Sequence, residues 1–490
     1  MDTLTGTEPN RALTLTRNAL SSTPRRLTLV GTAITALVVA FTVVLADGAS
    51  ASRGALSALS VRTAEMSALN DLYFRLNDMD AQAANALLVG FQPMIQVSGA
   101  DDAQASDTTY ESDRAAVSAD LQRIALNPAL ADQYTKLLTA IGGYEELVAQ
   151  ALYLDENGGP QAPAAPPATA LYIYTEASGR MHSDVLPIAQ DITARDSADV
   201  DGMYSGDRGG IQGMTITVIV FALLLAAALA AGHRYLGRRF RRILTPALAG
   251  AAVLVLTVGG LGASLLLNEA SRLKTAKADA FDSINALTKA RAVSYDANAD
   301  ESRWLLERTP TLQQSFFAKV AQVAAVPDVN ADAAAHNPAL YYSGLSGAAQ
   351  ALSLDAAGNR VSNVRMGGLL GAELNNITFP GEAQAAYTAT KDFEAYLRDD
   401  ATIRSDVANN DYTDAVKVDV GTTQGLSNYT FNQYDAALQN TIVVNQNAFQ
   451  GAIDDGLNEL SPWSWLPYAT AVLALALTIV ALYPRLREYR

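Results

Sequence analysis

The densest run of like charge in this chain is GHRYLGRRFRR, residues 232–242, which carries Arg234, Arg238, Arg239, Arg241 and Arg242, one histidine and no acid. A guanidinium is planar and offers several donors, so such a run suits an acidic protein surface or an anionic lipid face. Opposite in sign, Asp78 and Asp80, and later Asp296 and Asp300, stand in helix-patterned sequence where they could hold a cation or an amine; a solvated helix face is the simpler expectation. The three histidines, His182, His233 and His336, lie far apart, and no P-loop, GxGxxG, GxSxG or HExxH motif occurs. These residues predict no catalytic centre, no metal and no cofactor.

The elements that carry them begin with four apolar blocks, residues 27–46, 213–232, 247–267 and 466–483, none of which contains Asp, Glu, Lys or Arg. At about 1.5 Å per residue each can cross roughly 30 Å of hydrocarbon as a helix. The first is expected to be a retained anchor rather than a cleaved signal, because a later block repeats it. Residues 47–211 hold 23 acids against 9 bases and residues 268–461 hold 24 against 14, whereas the rest of the chain has 3 acids and 12 bases. That asymmetry predicts a multi-pass protein of a bacterial plasma membrane, with residues 1–26, the basic loop 233–246 and residues 484–490 in the cytoplasm. Segments 47–212 and 268–465 then lie outside. A formal charge of −15 argues against nucleic acid as a partner, and the absence of cysteine excludes disulfides. Within the spans, Ala222, Ala226 and Ala230, then Gly259 with Ala263 and Gly260 with Ser264, repeat at four-residue spacing, which allows close helix packing.

The two long segments read as helical bundles. Leu69, Leu72, Leu76, Met79, Ala83 and Ala86 mark one face of a helix continuing from the first span. Turn signals cluster at 90–102 and 157–168, a break is expected at Asn127-Pro128, and Gly179 and Pro187 interrupt a helix over 171–201. Residues 330–338 are expected to form a loop. A last helix, 434–460, should run into the fourth span, with Trp463, Trp465 and Tyr468 as an interfacial belt. At a constant offset of 218, Ala68, Leu69, Asp78, Ala81, Leu87 and Leu88 meet identical residues, and the same offset lays the first span on the third. The expected fold is an all-α membrane protein with four transmembrane helices and two extracytoplasmic helical-bundle modules in tandem repeat.

NDLYFRLNDMDAQAANALLVG, residues 70–90, resembles the first outer helix of four-helix-bundle sensor domains of the chemoreceptor type. GLLGAELNNITFPGE, residues 368–382, with the stretch 387–404, resembles an actinobacterial four-span sensor family. Members of that family work with a glutamine-binding-type lipoprotein and a Ser/Thr kinase of the protein kinase G class. The resemblance implies a non-catalytic sensor of amino-acid availability. Its partners would be membrane lipid, an extracytoplasmic solute-binding lipoprotein and a cytoplasmic kinase or adaptor met by the arginine cluster, with a homodimer left open. Only 13 residues, His233 to Thr245, separate the two central spans, so output must pass through a partner. The alternative is an accessory or scaffold subunit of a transporter or envelope complex.

Overall fold

Helices supply all regular structure among the described residues, which are 23–95, 102–124, 131–240, 246–360 and 363–487 of the computed structural model. The first half comprises α1 (Thr23–Val89), α2 (Ala103–Ile124), α3 (Ala131–Glu156), α4 (Ala168–Arg180), a π-helical turn (Met181–Val185) and α5 (Leu186–Phe240). In the second half α6 (Pro246–Lys274) passes through a π-helical turn (Thr275–Phe281) into α7 (Asp282–Glu307). Then follow α8 (Pro310–Val323), α9 (Ala331–His336), α10 (Pro338–Ala351), α11 (Gly368–Asn376), α12 (Glu382–Ala408), α13 (Tyr412–Asp419), α14 (Ser427–Leu460) and α15 (Leu466–Arg487). The expected break at Asn127-Pro128 lies outside the described residues.

The chain divides into two compact units. The first gathers Gly202–Lys274 with the described residues of Met1–Ala58 and Ala452–Arg490, and four of its helices are long and apolar enough to cross a membrane. Its packing follows from a seven-residue repeat. Leu27, Ile34, Val38, Phe41 and Leu45 of α1, and Ile211, Val218, Ala222, Leu225, Leu229 and Leu236 of α5, are buried, while Val39, Val43, Ile219 and Leu223 face outward. Helices apolar inside and outside alike are those of a multi-pass membrane protein.

The second unit, Leu59–Asp201 with Thr275–Gly451, takes helices from both long segments. Every residue of the predicted α1 face, Leu69, Leu72, Leu76, Met79, Ala83 and Ala86, is buried in it. An aromatic core of Phe316, Phe317, Tyr341, Phe393, Tyr396, Phe431 and Tyr434 holds α8, α10, α12 and α14 together.

Three local expectations change. Residues 330–338 contain helix α9, because the Asn330 side chain accepts the Ala333 N–H at 2.8 Å and an alanine-rich run follows. Pro187 does not break its helix: the preceding turn widens, and Leu186 N–H reaches the Met181 carbonyl five residues back. The last span is not a continuation of α14, since Pro462 sits in a 3₁₀ turn, Ser461–Ser464, between them. Trp463 is buried there, and only Trp465 and Tyr468 are exposed.

Candidate functional site

The predicted packing residues divide by face. A Cβ on Gly259 would stand 2.7 Å from the Ala222 Cβ, so these two small residues let α5 and α6 approach closely. Ala263 is buried beside them. Ala226 is half-buried, whereas Ala230, Gly260 and Ser264 are exposed, and nothing lies within 4 Å of a Cβ on Gly260. In the arginine cluster, α5 continues to Phe240, so Arg234, Arg238 and Arg239 are helical rather than in a loop. Arg234 and Arg238, four residues apart, share an exposed face. Arg241 and Arg242 lie outside the described residues.

The acids behave otherwise than a solvated face. Asp78, Asp80, Asp296 and Asp300 are all buried. Arg303, a turn beyond Asp300 on α7, is 2% exposed and reaches three of them. Its Nη1 pairs with Asp80 Oδ2 and donates to Ser178 Oγ at 2.8 Å; its Nη2 donates to Asp300 Oδ1 at 2.5 Å and Asp296 Oδ1 at 3.2 Å. Lys319 of α8 adds bonds to Asp296 Oδ1 at 2.7 Å and Asp300 Oδ2 at 2.6 Å. Asp80 also accepts from Ser178 Oγ at 2.9 Å and Tyr144 OH at 3.3 Å, and Tyr174 OH donates to its main-chain oxygen at 3.2 Å.

His182 closes the cluster. It lies in the π turn before Pro187, with Nε2 2.9 Å from Asp296 Oδ1 and Nδ1 2.8 Å from the Ser178 carbonyl. Three carboxylates thus face two permanent cations and an imidazole. Burial alone would raise the Asp296 carboxyl, but Lys319, His182 and Arg303 together hold it well below the usual carboxylate range. Helices α1, α3, α4, α7 and α8 and the π turn all contribute, so the cluster joins the chain's two halves by charge as well as by packing.

A second buried group surrounds Arg404. Its Nε donates to Asp400 Oδ2 at 3.1 Å, and its guanidinium lies 4.6 Å from the Trp304 ring and 4.8 Å from that of Phe316. Nearby, Ser302 Oγ has Asn85 Oδ1 at 2.7 Å and Asp419 Oδ2 at 2.9 Å, two acceptors for one hydroxyl proton. Burial pushes Asp419 up to about 7, against the opposing effect of the Ser302 hydrogen bond. In the segment that carried the family resemblance, Glu382 accepts the Thr378 and Phe379 N–H groups at 2.7 and 2.9 Å. Burial and that neighbouring charge push Glu373 up to about 8.

Two cavities in this unit meet the Arg303 cluster. One, about 560 Å³, is lined by Asp296 and Lys319; the other, about 460 Å³, by His182, Asp300 and Arg303. Among the described residues no group of three His, Asp or Glu side chains is arranged to hold a metal.

Residues 55–205 match the model of an actinobacterial sensor domain. The match runs from within α1 into α5, and it includes Asp80, Tyr144, Tyr174, Ser178 and His182. Asp296, Asp300, Arg303 and Lys319 fall beyond it. The Arg303 and Lys319 cations that pair with Asp80, Asp296 and Asp300 therefore come from outside the matched region. No curated protein and no solved structure matches the chain.

The Asp296 partners are what sequence reading missed. Arg303 lies three residues from Asp300, a helix-neighbour spacing that signals an ion pair. His182 and Lys319 are 114 and 23 residues from Asp296, and nothing local announces them.

Proposed function

We propose that this chain is a membrane signal relay: its polar unit receives an extracytoplasmic nutrient signal, of the amino-acid class, from a solute-binding lipoprotein, and its cytoplasmic arginine cluster passes it to a Ser/Thr kinase or adaptor. The observation that carries the reading is the sensor-domain match over residues 55–205 in a chain with four helices apolar enough to cross a membrane. The charge asymmetry supports the sidedness, since the acid-rich segments belong outside and the arginines inside. Arg234 and Arg238 are exposed on one helix face, where an acidic partner could pair with both. The lack of any recognisable catalytic motif is why the signal is assigned to a separate kinase.

Because the chain has no cysteine, single cysteines report sidedness without background. In intact cells an impermeant maleimide is expected to label Ser118→Cys and Ser353→Cys, both at exposed positions, and to spare Gly237→Cys. Arg238, Arg239, Arg241 and Arg242 replaced together by Gln, with lysines added near residue 20 to hold topology, should leave insertion intact and abolish capture of the kinase. Normal capture by that variant would reduce the cluster to a topology and lipid anchor. Co-purification with permease subunits instead of a kinase would favour the accessory-subunit alternative.

A further inference from the structure

The cavity beside Asp296 has a lining unlike the rest of this acidic protein. It is about 560 Å³, within the range of small-molecule sites, and its walls come from α1, α5, α7 and α8. Its charged groups are Lys289, Lys319 and Asp296, two cations to one anion, in a chain whose formal charge is −15. One oxygen of the anion is already engaged, because Asp296 Oδ1 meets Lys319, His182 and Arg303.

The cations are not engaged to the same degree. Lys289 is exposed at the cavity wall, and no described residue pairs with it. Lys319 donates to Asp296 Oδ1 at 2.7 Å and more weakly to its main-chain oxygen at 3.5 Å, and it forms an ion pair with Asp300 at 2.6 Å. Neutral groups add to this unused capacity. Asn285 bonds Asn70 at 3.4 Å through its side-chain oxygen, which leaves its NH₂ turned to no described partner, and the amide of Gln322 and the hydroxyl of Ser197 make no hydrogen bond among the described residues. A cavity with a surplus of cation and spare amide donors selects for an anion that is itself a hydrogen-bonding solute.

We propose that this cavity binds a small organic anion of the carboxylate class, with Lys289 and Lys319 as its cationic contacts and Asn285 and Gln322 as its amide contacts. A carboxylate seated on Lys319 competes with Asp296 for the same ammonium. Occupancy would then be felt at Arg303 and His182, which share Asp296. The proposal deepens the sensor reading and rests on it for the purpose of binding, but the binding itself requires neither lipoprotein nor kinase.

The test is calorimetric titration of the full chain in lipid nanodiscs with succinate, malate and glutamate, against glucose as a neutral solute, choline as a cation and inorganic phosphate as a different anion. At least one carboxylate should bind saturably, and glucose and choline should not bind. Lys289→Gln should weaken that binding at least tenfold with an unchanged melting temperature, because the side chain is exposed and unpaired. Lys289→Arg should retain binding within about threefold, since it keeps the charge, and Gln322→Leu should weaken it severalfold. No carboxylate binding, or binding undiminished in Lys289→Gln, overturns the site. Binding of phosphate alone overturns the carboxylate assignment. The assay contains no partner protein, so its failure leaves the relay reading standing, and a failed relay leaves the binding standing.

Discussion

Asp78 and Asp296 lie 218 residues apart, on the helices that continue from the first and third apolar blocks, and both are buried. Their chemistry is opposite. Asp296 has Lys319 at 2.7 Å, His182 at 2.9 Å and Arg303 at 3.2 Å, and is held as an anion. Asp78 has no cation within ion-pair distance among the described residues; Gln82 donates to it at 2.9 Å, and the Asp113 carboxyl acts on it more strongly than the more distant Arg291. Burial and the Asp113 charge raise Asp78 well above the carboxylate range, which favours its neutral form. Charge at a buried acid is thus decided by what other helices bring to it: a second carboxyl at Asp78, cations at Asp296.

The largest test of this contrast removes the hub. Arg303→Leu leaves Asp80 and Asp300 buried without their guanidinium and is expected to cost about 3–5 kcal/mol, read as thermal or denaturant unfolding of the full chain in detergent. The paired acids come next. Asp296→Asn should cost about 2–3 kcal/mol by withdrawing a charged acceptor from Lys319, whereas Asp78→Asn, which imitates a protonated acid, should cost less than about 1 kcal/mol. Equal losses at the two positions would break the comparison.

The pH dependence follows with opposite signs. Asp419 is raised in the folded chain to about 7, so its stabilising effect is complete below the unfolded value near 4 and is lost as pH rises to 7. Asp419→Asn should therefore remove a negative slope of up to about 1.4 kcal/mol per pH unit within that window. Asp296 is lowered, so its contribution is present at neutral pH and is lost on acidification below about 4. A melting profile of Asp296→Asn that keeps the full acid limb would contradict this assignment. The smallest effect sharpens the same point: Gln82→Arg gives Asp78 a cation one helical turn away and should shift stability at neutral pH by only about 0.5 kcal/mol, while flattening the part of the slope that Asp78 supplies.

How much of this could be read from sequence depended on the range of the interaction. The four apolar blocks stood out because a long uncharged run is a property of composition, and the buried face of α1 because its spacing is local. The burial of Asp80, Asp296 and Asp300 was not legible, since a carboxylate on a helix looks alike whether it meets water or Arg303. Only Arg303 left a local trace, three residues beyond Asp300. His182 escaped because its position depends on the widened turn before Pro187, where a proline reads as a break. Arg234 and Arg238 were legible as a charge cluster, yet the helix that places them on one face was not, because Gly232 and Gly237 argue against it. The second unit's shared core escaped for a similar reason, as each segment alone is long enough to build a bundle.

The π-helical turns at Met181–Val185 and Thr275–Phe281 have a consequence for register. An α-helix advances about 100° per residue, so one turn that admits an extra residue offsets everything after it by about that angle. Each rod therefore carries two independent phases. In the first rod, Ala170, Tyr174 and Ala177 of α4 set the buried face before Met181; beyond Val185, Ala189 and Ile192 of α5 set another. The turn is the indexing step that lets both be satisfied on one continuous backbone. Deleting the exposed Asp184 would erase that step in the first rod and rotate the buried face of α5 up to Asp201 by about 100° against that of α4, with the composition of the chain almost unchanged.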